Sequence, residues 1–160
     1  MSEHLATLPQ GASKARMWAT LLPQLKALID ADPDPIARMA NVASAIATTF
    51  GHLWVGFYRV VDGELVLGPF QGPLACTRIR RGRGVCGTAW AEKRTLVVPD
   101  VEQFPGHIAC SSSSRSEIVV PIFGSDGEVS GVIDIDSSQL ATFDDTDAAC
   151  LQQLAKYLEP

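Results

Sequence analysis

Leu53-Trp-Val-Gly-Phe-Tyr-Arg-Val-Val61 runs into Asp62-Gly63, and Glu64-Leu-Val-Leu-Gly-Pro-Phe70 follows with alternating apolar residues. Two runs rich in β-branched and aromatic residues, joined by an Asp-Gly pair, read as a β-hairpin, because that pair accepts the left-handed backbone a tight turn needs. The same grammar returns downstream. Glu117 to Phe123 and Glu128 to Ile135 form a second hairpin about Ser125-Asp126-Gly127.

Upstream of the first hairpin the period changes from two to that of a helix. Met17, Leu21, Leu22, Leu25, Leu28 and Ile29 recur on one face between Ser13 and Asp30, with Pro23 to be absorbed inside. Asp32-Pro-Asp-Pro35 then opens a second helix carrying Ile36, Met39, Val42, Ala43 and Ile46 to about Phe50. Between the hairpins, Leu74 to Ile79 and Thr95 to Val98 are expected as short strands, with a short helix through Ala89, Trp90 and Ala91 after the loosening glycines 82, 84 and 87. Asp100 to Ser116 has no period and holds Pro105, Gly106 and four consecutive serines, so it reads as a long loop of the kind that usually carries function. Thr142 to Asp145 opens a last helix to about Leu158, with Leu151, Leu154 and Leu158 inward. The expected class is α+β, an antiparallel sheet flanked by helices, without internal repeats.

The chain has 160 residues, enough for one core and too few for two ordinary domains. Hydrophobic content of 46%, 19% charged residues and a net charge of −5 describe a globular protein and argue against a nucleic-acid partner, which needs clustered basic residues. The basic cluster Arg78, Arg80, Arg81 and Arg83 lacks interleaved aromatics and reads as a solvated loop. No secretion signal opens the chain and no stretch is apolar enough to cross a bilayer, so a cytoplasmic location is expected. In a reducing compartment, cysteines need a packing, metal or reactive reason.

There are four cysteines. Cys150 lies in the last amphipathic helix and reads as a small buried hydrophobe. Cys76, Cys86 and Cys110 fall in or beside the Gly-rich and Ser-rich middle. For Cys110 in Gly106-His-Ile-Ala-Cys110, His107 and the arginines at 78 to 83 are the available sources of the positive charge that favours a thiolate; spacing alone leaves a reactive and an incidental thiol equally open. None of the cysteines forms a Cys-x-x-Cys pair, so no metal is expected, and no Gly-x-Ser-x-Gly elbow supports a serine hydrolase.

Ile133-Asp-Ile-Asp-Ser137 puts Asp134 and Asp136 at alternate positions, hence on one face of a strand. Two like charges there repel unless a cation such as a substrate ammonium lies between them; the alternative is that both meet solvent near the strand end. Glu117, opening the preceding strand, reaches the same face across the hairpin. Trp54 and Tyr58 share a face of the first strand and make either an aromatic wall for a methyl-sulfoxide or thioether group, or core packing.

Trp54-Val-Gly-Phe-Tyr58, Leu67-Gly-Pro-Phe-Gln-Gly72, Ala75-Cys76, Gly82-Arg-Gly-Val-Cys-Gly-Thr88, Gly106-His-Ile-Ala-Cys110, Ser116-Glu-Ile-Val-Val-Pro121 and Gly131-Val-Ile-Asp-Ile-Asp-Ser137, in this order, resemble the free methionine-(R)-sulfoxide reductase family, a catalytic branch of the GAF fold. The resemblance is strong from Trp54 to the C-terminus and holds only in outline over the two N-terminal helices. It implies a single GAF domain over residues 1–160, with helices over 13–50, a sheet of about six antiparallel strands and the site over 53–137, and a closing helix over 142–158. It implies reduction of the free amino acid without a cofactor, with Cys110 as the family's usual nucleophile, Cys76 as its disulfide partner and Cys86 as a third cysteine to which the nucleophilic part is also given. Glu117, Asp134 and Asp136 match the acidic pocket, and Trp54 and Tyr58 match the aromatic wall. Three clustered carboxyl groups raise one another's pKa, so at least one is expected to be protonated near neutrality. A thioredoxin-type reductant and a homodimer are further implications. A non-catalytic GAF sensor of a small ligand and a cysteine redox switch are the alternative readings.

Overall fold

A computed structural model describes residues 4–107 and 112–160. Two helices open the chain, α1 (Lys14–Ala31) and α2 (Pro35–Phe50), each started by the residue its sequence predicts: Ser13 caps α1 by accepting from Arg16 N–H, and Asp34 caps α2, with Pro35 in the first turn. Pro23 sits within α1 without ending it, and α1 buries Trp18 alongside Leu21, Leu25 and Ile29. Met17, expected inward, is only half-buried.

The first hairpin is β1 (Trp54–Val61) and β2 (Glu64–Gln71), turned by Asp62 and Gly63 at φ 50° and 80°. Both turn residues therefore have the left-handed backbone of a two-residue hairpin. β3 (Arg78–Arg80), α3 (Gly84–Glu92) and β4 (Leu96–Val98) fill the middle, a 3₁₀ turn covers Val101–Gln103, and β5 (Ser116–Phe123) and β6 (Val129–Ser137) form the second hairpin before α4 (Asp145–Leu158). The expected strand over Leu74 to Ile79 shrinks to β3, because Gly72 at φ 138° and Pro73 turn the chain off the sheet; Leu74 is left 88% exposed. The expected basic loop is in part strand: Arg78 and Arg80 lie on β3, both exposed to solvent.

The sheet has six strands in the order β3-β2-β1-β6-β5-β4, and every pairing is antiparallel. The central β1–β6 pairing joins the two hairpins, so residues far apart in sequence become neighbours there. Alternation then sorts side chains between two cores. Val55, Phe57, Ile118, Val120, Ile133 and Ile135 pack with Trp18, Leu25, Val42, Ile46, Leu151 and Leu154 under α1, α2 and α4. Each such buried Leu or Ile contributes about 1.5–3 kcal/mol. Cys150 is half-buried against this layer rather than fully enclosed. The opposite face carries Trp54, Tyr58, Val119 and Val132, covered by α3 through Val85, Cys86, Ala89 and Trp90.

Candidate active site

Residues directly opposite in an antiparallel pair share a face, so the register places the predicted residues before any side chain is considered. Trp54 faces Asp136, and Asp136 faces Glu117; Gly56 faces Asp134, and Asp134 faces Val119; Tyr58 faces Val132. Two aromatics and three carboxyl groups thus meet on the α3 side of the sheet. They line one cavity with Cys86, Ile79, Arg83, Val85, His107 and Ser114, enclosing about 570 Å³ including its open mouth, where the exposed Leu74 stands.

Cys86 reaches this cavity because α3 approaches β3 closely. A Cβ on Gly87 would lie 2.4 Å from the Arg80 carbonyl oxygen, and in its absence Gly87 O accepts from Gly82 N–H at 2.8 Å. Trp54 folds over Gly56, where a Cβ would meet the indole and Phe70 at 2.5 Å each. The Trp54 ring stacks between Phe70 (centroids 5.2 Å apart) and Tyr58 (6.0 Å). Both polar ends of this wall are tied to the following loop: Trp54 Nε1 donates to Pro73 O at 3.1 Å, and the Tyr58 hydroxyl donates to Cys76 O at 2.8 Å. Half-buried Cys76 is thereby held beside the cavity, and it is disulfide-bonded, whereas Cys86 and Cys150 are free thiols.

Glu117 is 6% exposed and Asp134 5%, and Asp136 is half-buried. Burial pushes the Glu117 carboxyl well above the usual carboxylate range, and the charges of Asp134 and Asp136 push it further. Burial raises Asp134 too, but hydrogen bonds from Glu117 and Cys86 pull it back. Asp136 is raised by burial and by the Asp134 charge, against an opposing hydrogen bond from Ser114 Oγ at 2.8 Å. A hydrogen bond between two carboxyl groups requires a proton on one of them, and these opposed effects put it on Glu117. Glu117 therefore holds its proton to higher pH than an ordinary carboxyl group, the direction the clustering predicts.

Burial also raises the Cys86 thiol, aided by the Asp134, Glu117 and Asp136 charges and by its hydrogen bond to Asp134. Cys86 is therefore a protonated donor to Asp134 and not an activated thiolate. His107 lies 3.9 Å from Glu117, and burial lowers its pKa, so it faces the cavity as a neutral imidazole and does not supply the positive charge expected of it. Arg83 lines the cavity, while Arg78 and Arg80 lie on the exposed edge strand. Cys110 lies outside the described residues, between His107 and Ser114, which both line the cavity. Sequence reading missed Ser114 inside a serine run and Gly56 between the two aromatics. The signal for Gly56 was its parity with Trp54 and Tyr58.

Residues 34–159 match the GAF domain family. A solved structure of free methionine-R-sulfoxide reductase from Neisseria meningitidis, in complex with its substrate, is 53% identical, with a TM-score of 0.92 over 98% of this chain and 92% of that one. The chain belongs to the free methionine-R-sulfoxide reductase family of GAF domains. The free methionine-R-sulfoxide reductase of Saccharomyces cerevisiae is 42% identical over 91% of this chain and 86% of its own length. GAF domain-containing protein A of Dictyostelium discoideum is 54% identical over 92% of this chain and 93% of its own. In this chain the helix pair and α4 cover one face of the sheet and leave the other to α3 and the cavity.

Proposed function

We propose that the chain reduces free methionine-(R)-sulfoxide to methionine. The observation that carries this reading is the set of three carboxyl groups, two buried and one half-buried, facing a stacked aromatic wall in one cavity. A zwitterionic amino acid with a methyl-sulfoxide tail fits that chemistry: its ammonium offsets the charge of Asp134 and Asp136, its methyl lies on Trp54, and its sulfoxide oxygen accepts the Glu117 proton. A peptide-bound residue has no ammonium for the carboxylates, which gives the preference for the free amino acid.

Cys110 is the nucleophile in this account. Its thiolate attacks the sulfoxide sulfur while Glu117 protonates the oxygen, and transfer of that hydroxyl to the cysteine sulfur releases methionine and leaves a sulfenic acid. The substrate sulfur gains the electron pair the cysteine loses. Cys76 then attacks the sulfenic sulfur, water leaves, and a disulfide remains for a thioredoxin-type dithiol to reopen by exchange. The disulfide-bonded state of Cys76 supports its resolving role, and the raised, hydrogen-bonded thiol of Cys86 supports Cys110 over Cys86 as attacker. A homodimer, a cytoplasmic location and a single domain over residues 1–160 belong to the same proposal. Cys110→Ser is expected to abolish turnover with a dithiol reductant while Cys86→Ser retains most of it. The reverse pattern would move the nucleophile to Cys86.

A further inference from the structure

Cys86, Glu117 and Asp134 come from three different elements, yet one ligating atom from each lies within 4.8 Å of the others, and all three residues are buried. Asp134 adds a second observation. Its Oδ1 is buried with no hydrogen-bond partner among the described residues, although Glu117 and Cys86 both engage its carboxyl group. A buried acceptor with an unmet lone pair, beside a thiol and a second carboxyl, is a donor set short of a cation.

We infer that Cys86, Glu117 and Asp134 form a binding site for a thiophilic divalent cation of the zinc class. One sulfur and two oxygens suit such an ion and not magnesium or calcium, which take oxygen ligands alone. Bonds of about 2.3 Å to sulfur and about 2.0–2.2 Å to oxygen put the donors of a tetrahedral site roughly 3.3–3.7 Å apart, and the 4.8 Å limit within which these three atoms lie leaves only small side-chain rotations to make. Asp136, anchored by Ser114, stands on the same face but outside this set of three. The absence of a Cys-x-x-Cys pair excludes a zinc site built on paired cysteines. It does not bear on a set assembled by the sheet. A bound ion would withdraw Glu117 and Asp134 from any other ligand of the cavity.

Co²⁺ and Zn²⁺ are the probes, added to a full-length chain in which Cys76, Cys110 and Cys150 are replaced by serine, so that Cys86 is the sole thiol. Binding is read by absorbance and calorimetry without turnover, so it stands or falls apart from the sulfoxide assay. The expected result is one Co²⁺ per chain with a thiolate-to-cobalt charge-transfer band, displaced by Zn²⁺ and untouched by equal Mg²⁺. Further replacement Cys86→Ser removes the band, and Glu117→Gln or Asp134→Asn weakens binding by about tenfold or more. No band in the single-thiol chain, a band that survives Cys86→Ser, or affinities unmoved by both carboxyl variants would overturn the proposal.

Discussion

Gly56 faces Asp134 across the β1–β6 pairing, and the Trp54 ring occupies the space above Gly56 that a side chain would take. The aromatic wall and the acidic cluster are therefore adjacent because one strand position is empty. Gly56→Ala would set its methyl 2.5 Å from both the indole and the Phe70 Cβ, and the wall must move. The expected outcome is a loss of about 1–3 kcal/mol in chemical denaturation, with a rise in KM for the sulfoxide as Trp54 is displaced. Unchanged stability and KM would show that the indole yields without consequence.

The shared proton makes a second expectation. Asp134→Asn removes a charge that raises Glu117 and Cys86 and deprives the substrate ammonium of a partner. Turnover should fall by about a hundredfold or more, the scale of a lost acid-base contribution. Stability should hold or rise, because a buried like-charged neighbour is gone. A stability loss in proportion to the activity loss would mean that Asp134 only holds the fold.

The pH dependence of folding follows from the same carboxyl groups. Glu117, Asp134 and Asp136 hold their protons more tightly folded than unfolded. The folded state therefore binds more protons above the ordinary carboxylate pKa of about 4, and their contribution is lost as pH rises from there through the raised values. Half-buried His52 and His107, with lowered pKa values, act oppositely as pH falls below about 6.5. Comparing wild type with Glu117→Gln isolates the carboxyl contribution: wild-type stability should fall more steeply as pH rises above about 4. Parallel curves would contradict the placement of the proton on Glu117.

Tyr58→Phe keeps the ring and removes only the donor to Cys76 O. A stability loss of about 1 kcal/mol is expected, the net worth of one hydrogen bond. Disulfide closure should slow as well, read as longer-lived sulfenic acid in a single turnover. Equal lifetimes in the two proteins would separate Tyr58 from the placement of Cys76.

Away from the site, Asp147 is 2% exposed and accepts from Lys14 Nζ at 2.7 Å and Trp18 Nε1 at 2.9 Å, tying α4 to α1. Asp147→Ala leaves the buried Trp18 Nε1 without its acceptor, while Lys14 keeps Thr142 O and Asp144, and should cost about 1–3 kcal/mol. Asp30→Ala, at the exposed Lys26 pair, should cost no more than about 1 kcal/mol. Sulfoxide turnover per folded molecule should be the same in both.

Where period and turn chemistry agree, the sequence was legible. Both hairpins, α1, α2 and α4 were read from alternation, Asp-Gly turns and capping residues, and the parity of Trp54, Tyr58, Asp134 and Asp136 put them on shared faces. What could not be read depends on contacts between distant segments. Trp18 fits the helical spacing of Leu21, Leu22 and Leu25, but the hydrogen bond of its indole to Asp147 on α4 is invisible in that pattern. The protonated state of Cys86 depends on α3 delivering it to Asp134, and Ser114 looked like one serine in a run until β6 supplied Asp136. Leu74 reads as strand from its neighbours, but the backbone at Gly72 takes it off the sheet.

The most direct test is a turnover assay of the wild-type chain with a dithiol reductant on free methionine-(R)-sulfoxide, its S epimer and a peptide-bound R sulfoxide. The account predicts methionine release from the free R epimer alone. Equal turnover of the two epimers, release from the peptide, or no consumption of any of the three would contradict it.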